Sequence, residues 1–218
     1  LKNKAIKRLD TIEIEPTMVE GAQFFKPRNQ AVYEDPRSHI VYADARTYFS
    51  SQKSKYDIII SEPSNPWVSG IASLFSKEFY QHIIQHLEDD GMLVQWLQLY
   101  ELEPRLLASV LKALGQTFAD YTIFAADKGN ILIVAQTSGS IGQLDEDILS
   151  NPEIKAELSR YRITNSSLLE LHRVANRRAI EPLLNSYETQ VNSDYFPFLD
   201  IHAARSRFLK KNSTPIVN

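Results

Sequence analysis

Three short stretches set carboxylates against rigid turns at the ends of apolar runs, and each could handle a polar small molecule. In Glu13-Ile14-Glu15-Pro16 alternate acids share one strand face. A carboxylate there can accept both hydroxyls of a ribose, or it can simply end a strand in solvent. Asp44-Ala45 follows the apolar run His39-Ile40-Val41-Tyr42-Ala43. Its acid can accept from an adenine exocyclic amine or serve as a helix N-cap. In Ser61-Glu62-Pro63-Ser64-Asn65-Pro66-Trp67 a carboxylate stands between the most hydrophobic run and a turn stiffened by two prolines. Such an acid is held in place and partly desolvated, which suits a general base. Trp67 and Trp96 could wall an amine pocket or pack in a core.

The elements that must position these residues follow from hydrophobic periodicity. Thr11 to Glu15 reads as a strand that stops at Pro16, and Thr17 to Phe25 as a helix. His39 to Ala43 is a second strand, Asp44 to Ser50 a helical turn or two, and Tyr56 to Ser61 a buried strand. Ser76 to Leu87 makes one helix, Asp89-Asp90-Gly91 a turn, and Met92 to Leu97 another strand. A helix from Pro104 through Phe118 precedes an antiparallel pair, Tyr121 to Phe124 and Ile131 to Ala135, closed around Asp127-Lys128-Gly129-Asn130. Leu1 to Leu9 is expected to be the last turns of a helix, and Ile141 to Ile180 is helical in pattern with no strong strand. Alternating β and α elements imply an α/β, doubly wound and mostly parallel sheet with a terminal hairpin, and ligands of such sheets bind beyond the strands' carboxyl ends. A soft boundary near Ser138 divides an α/β domain, 1–137, from a helical C-terminal extension, 138–218.

Composition narrows the function classes. With 24 Lys and Arg against 27 Asp and Glu, the net charge of −3 offers no basic excess for nucleic acid. The absence of cysteine removes disulfides, thiolate zinc sites and cysteine nucleophiles together. No window approaches the length of a membrane span, so no membrane contact is expected of this segment. His82 and His86 share a helix face without an evident third ligand and are expected to be solvated, and Ser69-Gly70-Ile71-Ala72-Ser73 lacks the spacing of a nucleophile elbow. No metal site is expected.

Several motifs fall in register with one family. Thr11-Ile12-Glu13-Ile14-Glu15-Pro16, Asp35-Pro36-Arg37, Tyr42-Ala43-Asp44-Ala45-Arg46 and Tyr56-Asp57-Ile58-Ile59-Ile60-Ser61-Glu62-Pro63 resemble the spermidine synthases in order and spacing. Ala72-Ser73-Leu74-Phe75 and Asp90-Gly91-Met92-Leu93 continue the likeness. Gln95-Trp96-Leu97-Gln98-Leu99-Tyr100 and Asn192-Ser193-Asp194-Tyr195-Phe196-Pro197 are most similar to bacterial spermidine synthase-like proteins that are often fused behind membrane segments. The resemblance implies a Rossmann-like S-adenosylmethionine-dependent transferase fold and an aminopropyltransferase of polyamine metabolism. It assigns Glu13 to the ribose of decarboxylated S-adenosylmethionine, Asp44 and Ala45 to its adenine, and Glu62 to the place of the catalytic aspartate. Asn65, Trp67 and Tyr100 are its candidates for holding a small amine substrate. It also implies a homodimer and a cytoplasmic location, either free or as the cytoplasmic domain of a membrane protein. An S-adenosylmethionine-dependent small-molecule methyltransferase and a catalytically silent nucleoside-binding domain use the same fold and stand as alternatives.

The sequence also departs from the family. The chain opens without Met, and none of its 7 glycines forms a G-x-G cluster, so the fold's first strand and glycine-rich loop are expected to be lacking. Asn65 stands where the family carries an aspartate, and the hairpin Ala125-Ala126-Asp127-Lys128-Gly129-Asn130 lacks the family's tyrosine. The acceptor is therefore not expected to be putrescine bound in the usual manner.

Overall fold

A computed structural model of the chain describes residues 1–142 and 146–216. Its elements run β1 (Leu9–Glu13), α1 (Pro16–Ala22), α2 (Gln30–Glu34), β2 (Ser38–Tyr42), α3 (Ala45–Ser51), β3 (Tyr56–Ser61), α4 (Lys77–Ile83), β4 (Leu87–Gln98) and α5 (Pro104–Gly115). There follow β5 (Asp120–Ala125), β6 (Asn130–Gln136), α6 (Pro152–Arg160), α7 (Ser166–Glu170), β7 (Arg173–Asn176), α8 (Arg177–Ser186) and α9 (Phe198–Phe208). The chain divides into two compact units, one of Leu1–Lys53 with Leu144–Leu168 and the other of Ser54–Gln143 with Leu169–Asn218.

The first unit is built on β1 and β2, paired in parallel with Glu13 opposite Tyr42. Pro16 opens α1 where a missing N–H costs nothing, and the Glu15 carboxylate caps it by accepting from Thr17 N at 3.0 Å. That capping, by the Thr17 side chain and backbone, lowers the Glu15 pKa. Residues 1–8, expected to be helical, form no helix. The Arg37 guanidinium takes the carbonyls that a helical ladder would use, donating to Leu1 O, Asn3 O and Ile6 O at 2.7, 3.2 and 2.9 Å. Asp35 holds that guanidinium in turn, and the hydrogen bond draws its carboxyl down to about 2.

The second unit carries a five-stranded sheet in the order β3-β4-β6-β5-β7. β3 and β4 are parallel, and the remaining pairs are antiparallel. Leu93, Leu97, Ile131, Ile133 and Tyr121 alternate onto one buried face, and the buried residues of α4, α5 and α9 complete this core. On β3 the alternation is reversed in exposure: Ile59 is buried, while Ile58 and Ile60 are 52% and 68% exposed.

Three expectations need correction here. The acids Asp89 and Asp90 lie inside β4, where the β3–β4 register slips between Tyr56 and Ile58. Gly91 is required at that irregularity because a Cβ would come within 2.9 Å of Glu88 N and O. β7 adds a strand in a stretch that reads as helical; it lies on the sheet edge, with Ala175 opposite Ile123. His86 is buried and its Nδ1 lies 3.1 Å from Ser54 O, so it belongs to the packing rather than to a solvated face. Among the described residues, β1 pairs only with β2 and β3 only with β4, so each has one edge without a strand partner. No helix among the described residues is long and apolar enough to cross a membrane.

Candidate functional site

In the first unit the strand ends bring two of the sequence candidates to one edge. Glu13 is the last residue of β1, and its backbone carbonyl accepts from Ala43 N at 3.1 Å, one residue before Asp44. One oxygen of each side chain is engaged. Glu13 Oε1 accepts from Glu15 N at 2.9 Å, and Asp44 Oδ1 accepts from Thr47 N at 2.9 Å and Thr47 Oγ1 at 3.1 Å. Asp44 is therefore an N-cap, as its position at the head of α3 permits, and the cap engages one of its two oxygens. Ala45 begins α3, where the backbone N–H has no partner within the helix.

In the second unit, β4 is parallel to β3, while β6 runs back between β4 and β5. The loops after β3 and β4 and the β5–β6 hairpin therefore share the carboxyl edge of this sheet. Glu62 is exposed one residue beyond β3. The turn that follows is closed by Val68 N donating to Asn65 O at 3.0 Å, and Gly70 at φ 83° leads into a tight turn over Ile71–Phe75. That left-handed backbone is what glycine supplies. Trp67 is half-buried, with the Arg207 guanidinium over its ring at 5.0 Å. Tyr100 is 40% exposed and bridges to Asn212, next to Glu101 at φ 56°. The hairpin comes up against this tyrosine, because a Cβ on Gly129 would stand 3.3 Å from its Cδ1.

Residues that the sequence did not single out by role fasten these loops. Arg207 Nε also meets Glu101 Oε2 at 3.5 Å, so one side chain of α9 ties the loop carrying Trp67 to the loop carrying Tyr100. Buried Asn192 donates to Ala72 O and Phe75 O and accepts from Leu199 N, while Glu78 accepts from Ser193 Oγ and Asp194 N. The late segment Asn192-Ser193-Asp194 is thus stitched to the turn beyond the Glu62 loop. The segment's similarity to relatives marks it in the sequence, whereas nothing there marks Arg207. Among the described residues no cluster of three or more His, Asp or Glu side chains is arranged to hold a metal.

Parallel strand pairs, acids at their carboxyl ends and an antiparallel closing hairpin define a Rossmann-like α/β fold of the S-adenosylmethionine-dependent transferase type. Solved structures agree. Spermidine synthase from Thermotoga maritima superposes with a TM-score of 0.51 at 21% identity, covering 63% of this chain and 48% of that one. Human methyltransferase-like protein 13 in complex with SAH gives 0.53 at 20% identity over 70% of this chain and 71% of that one. At such identities the likeness is one of fold. The chain belongs to the spermine/spermidine synthase domain family, which it matches over residues 1–127. Similar proteins include the polyamine aminopropyltransferases of Methanocaldococcus jannaschii, 29% identical over 105 residues, and Clostridium botulinum (strain Alaska E43 / Type E3), 34% identical over 91 residues. The matched stretches take in 47% and 42% of this chain but only 36% and 32% of those proteins.

Proposed function

We propose that the protein transfers an aminopropyl group from decarboxylated S-adenosylmethionine to a small amine, with Glu62 as the proton acceptor. The neutral amine nitrogen attacks the methylene carbon beside the sulfonium. The C–N bond forms as the C–S bond breaks, the sulfur leaves as a thioether, and the surplus proton on nitrogen passes to the Glu62 carboxylate. The sulfonium is already a good leaving group, so the step calls on orientation and a base rather than a Lewis acid. The free oxygen of Glu13 accepts from the ribose hydroxyls, the free oxygen of Asp44 from the adenine amine, and Ala45 N–H donates to an adenine ring nitrogen. Asn65, Trp67 and Tyr100 contact the amine. A homodimer in the cytoplasm is the matching expectation.

The observation that carries this reading is the family match, whose span over residues 1–127 includes every residue named above. The test incubates the full-length protein with decarboxylated S-adenosylmethionine or S-adenosylmethionine, together with an amine panel, and follows thioether release. Glu62→Gln should lower turnover about a hundredfold or more and leave donor affinity nearly intact. Turnover with S-adenosylmethionine alone would assign methyl transfer instead, and an unchanged Glu62→Gln rate under chemistry-limited conditions would remove Glu62 from the mechanism.

A further inference from the structure

The family match ends at residue 127, yet the loops after β3 and β4 are fastened by residues far beyond it. Glu103 N donates to Ser206 Oγ at 2.8 Å, Ser213 Oγ donates to Leu102 O at 2.6 Å, Ser213 N donates to Leu99 O at 2.9 Å, and Tyr100 bridges to Asn212. Ser206 and Ser213 are both buried. Between these attachments Glu101 sits at φ 56°, a left-handed backbone that a residue other than glycine keeps only where its surroundings fix it. Arg207, next to Ser206 on α9, reaches across this framework. Its guanidinium lies over the Trp67 ring at 5.0 Å, and its Nε stands 3.5 Å from Glu101 Oε2. Trp67 belongs to the loop that opens with Glu62, and Glu101 directly follows Tyr100. One side chain thus joins the two loops to which the amine contacts are assigned, and Glu101 balances its charge, so what Arg207 supplies there is geometry.

We infer that Arg207 is a positioning residue for the transfer, fixing the Trp67 ring and the Tyr100 loop against each other so that the amine meets a preformed wall. This inference rests on the proposed placement of the amine beside Glu62, Trp67 and Tyr100. Arg207 acts through the indole and through Glu101 and does not touch the reacting atoms. Part of the amine site is then built from α9, outside the matched residues 1–127. Without Arg207 the amine itself must order the two loops, and binding weakens by the cost of that ordering. An exposed cation–π contact and an exposed ion pair each contribute about two- to fivefold to an equilibrium constant, so losing both should weaken amine binding about tenfold.

The test titrates the full-length protein calorimetrically with 1,4-diaminobutane, with the donor's thioether product bound, and measures kcat with the same amine. Acrylamide quenching of Trp67 fluorescence, in a Trp96→Phe background, reads the clamp directly. Arg207→Gln should raise the amine dissociation constant about tenfold, change kcat less than about twofold and expose Trp67 to the quencher. Arg207→Lys keeps the cation but loses the flat guanidinium, so it should recover part of the affinity. Glu101→Gln should weaken binding less than Arg207→Gln, and the double variant should match Arg207→Gln within about twofold, because Glu101 acts through Arg207. Circular dichroism confirms that each variant is folded. No binding of diaminobutane by the unaltered protein, a loss confined to kcat, unchanged Trp67 quenching, or additive effects in the double variant would each overturn the inference. Weaker amine binding by Arg207→Gln in a protein that forms no aminopropyl product would instead defeat the proposed reaction and leave the clamp on the amine site standing.

Discussion

Replacing Asn192 by alanine tests how firmly the late segment is built into the unit that carries Glu62. The side chain is 1% exposed and makes three hydrogen bonds, to Ala72 O at 3.2 Å, to Phe75 O at 3.0 Å and from Leu199 N at 3.0 Å. Alanine strips a partner from three backbone groups at once. At about 1 kcal/mol for each bond the loss is about 3 kcal/mol. With a urea slope of about 2 kcal/mol per molar, the unfolding midpoint falls by about 1.5 M. Asn192→Asp separates the donors from the acceptor. It keeps the oxygen that serves Leu199 N but turns a second one toward the Ala72 and Phe75 carbonyls. Its carboxyl pKa should rise, so this variant should be weaker than wild type at pH 7 and recover in part as acid restores a donor. Urea titration followed by circular dichroism and tryptophan fluorescence reads both effects. A midpoint shift below about 0.3 M for the alanine variant would mean that the three bonds do not hold the segment in place.

Glu13→Gln should raise the donor dissociation constant about tenfold and change kcat less than twofold, because a ribose contact is much the same in ground and transition states; calorimetry beside single-turnover rates checks it, and a loss confined to kcat would contradict it. Gly91→Ala should destabilise the protein by about 1–3 kcal/mol, since the new Cβ lies 2.9 Å from Glu88 backbone atoms that cannot swing away; an unchanged melting temperature would refute the close approach. The Asp35 carboxyl is drawn from 3.8 down to about 2 by the Arg37 hydrogen bond, so the grip on residues 1–6 should be complete above pH 3.8 and be lost as pH falls through about 2. Amide exchange at Ala5 and Ile6 reports it, and release already at pH 5 would count against the arrangement.

What the sequence revealed divides along physical lines. β3 is the run Tyr56–Ser61 that apolar β-branched residues announce, and Asp44 and Pro104 mark helix starts through local capping and backbone geometry. These signals lie within a few residues of the element they define. Residues 1–8 misled because Ala5, Ile6 and Leu9 have helical spacing while the deciding partner, Arg37, is about thirty residues away. β7 escaped notice because a four-residue edge strand between helices is set by its ladder with β5, and Val174 is its only β-branched member. At the candidate site the acids at strand ends were legible from position. The clasp of Arg207 on Trp67 and Glu101 was not, since it joins three segments by geometry that no local pattern encodes.

The unpaired edge of β3 bears on how these 218 residues behave as an isolated polypeptide. Among the described residues no strand pairs with that edge, which carries backbone donors and acceptors beside exposed Ile58 and Ile60 and no proline within the strand. Asp57 is the only charge on the strand. Any extended apolar segment can extend that ladder, including β3 of another molecule. Produced alone at high concentration, the chain should form strand-paired oligomers that grow with time and bind amyloid-type dyes. Ile60→Lys should suppress that growth by placing a charge at an exposed position of the strand while leaving buried Ile59 in the core.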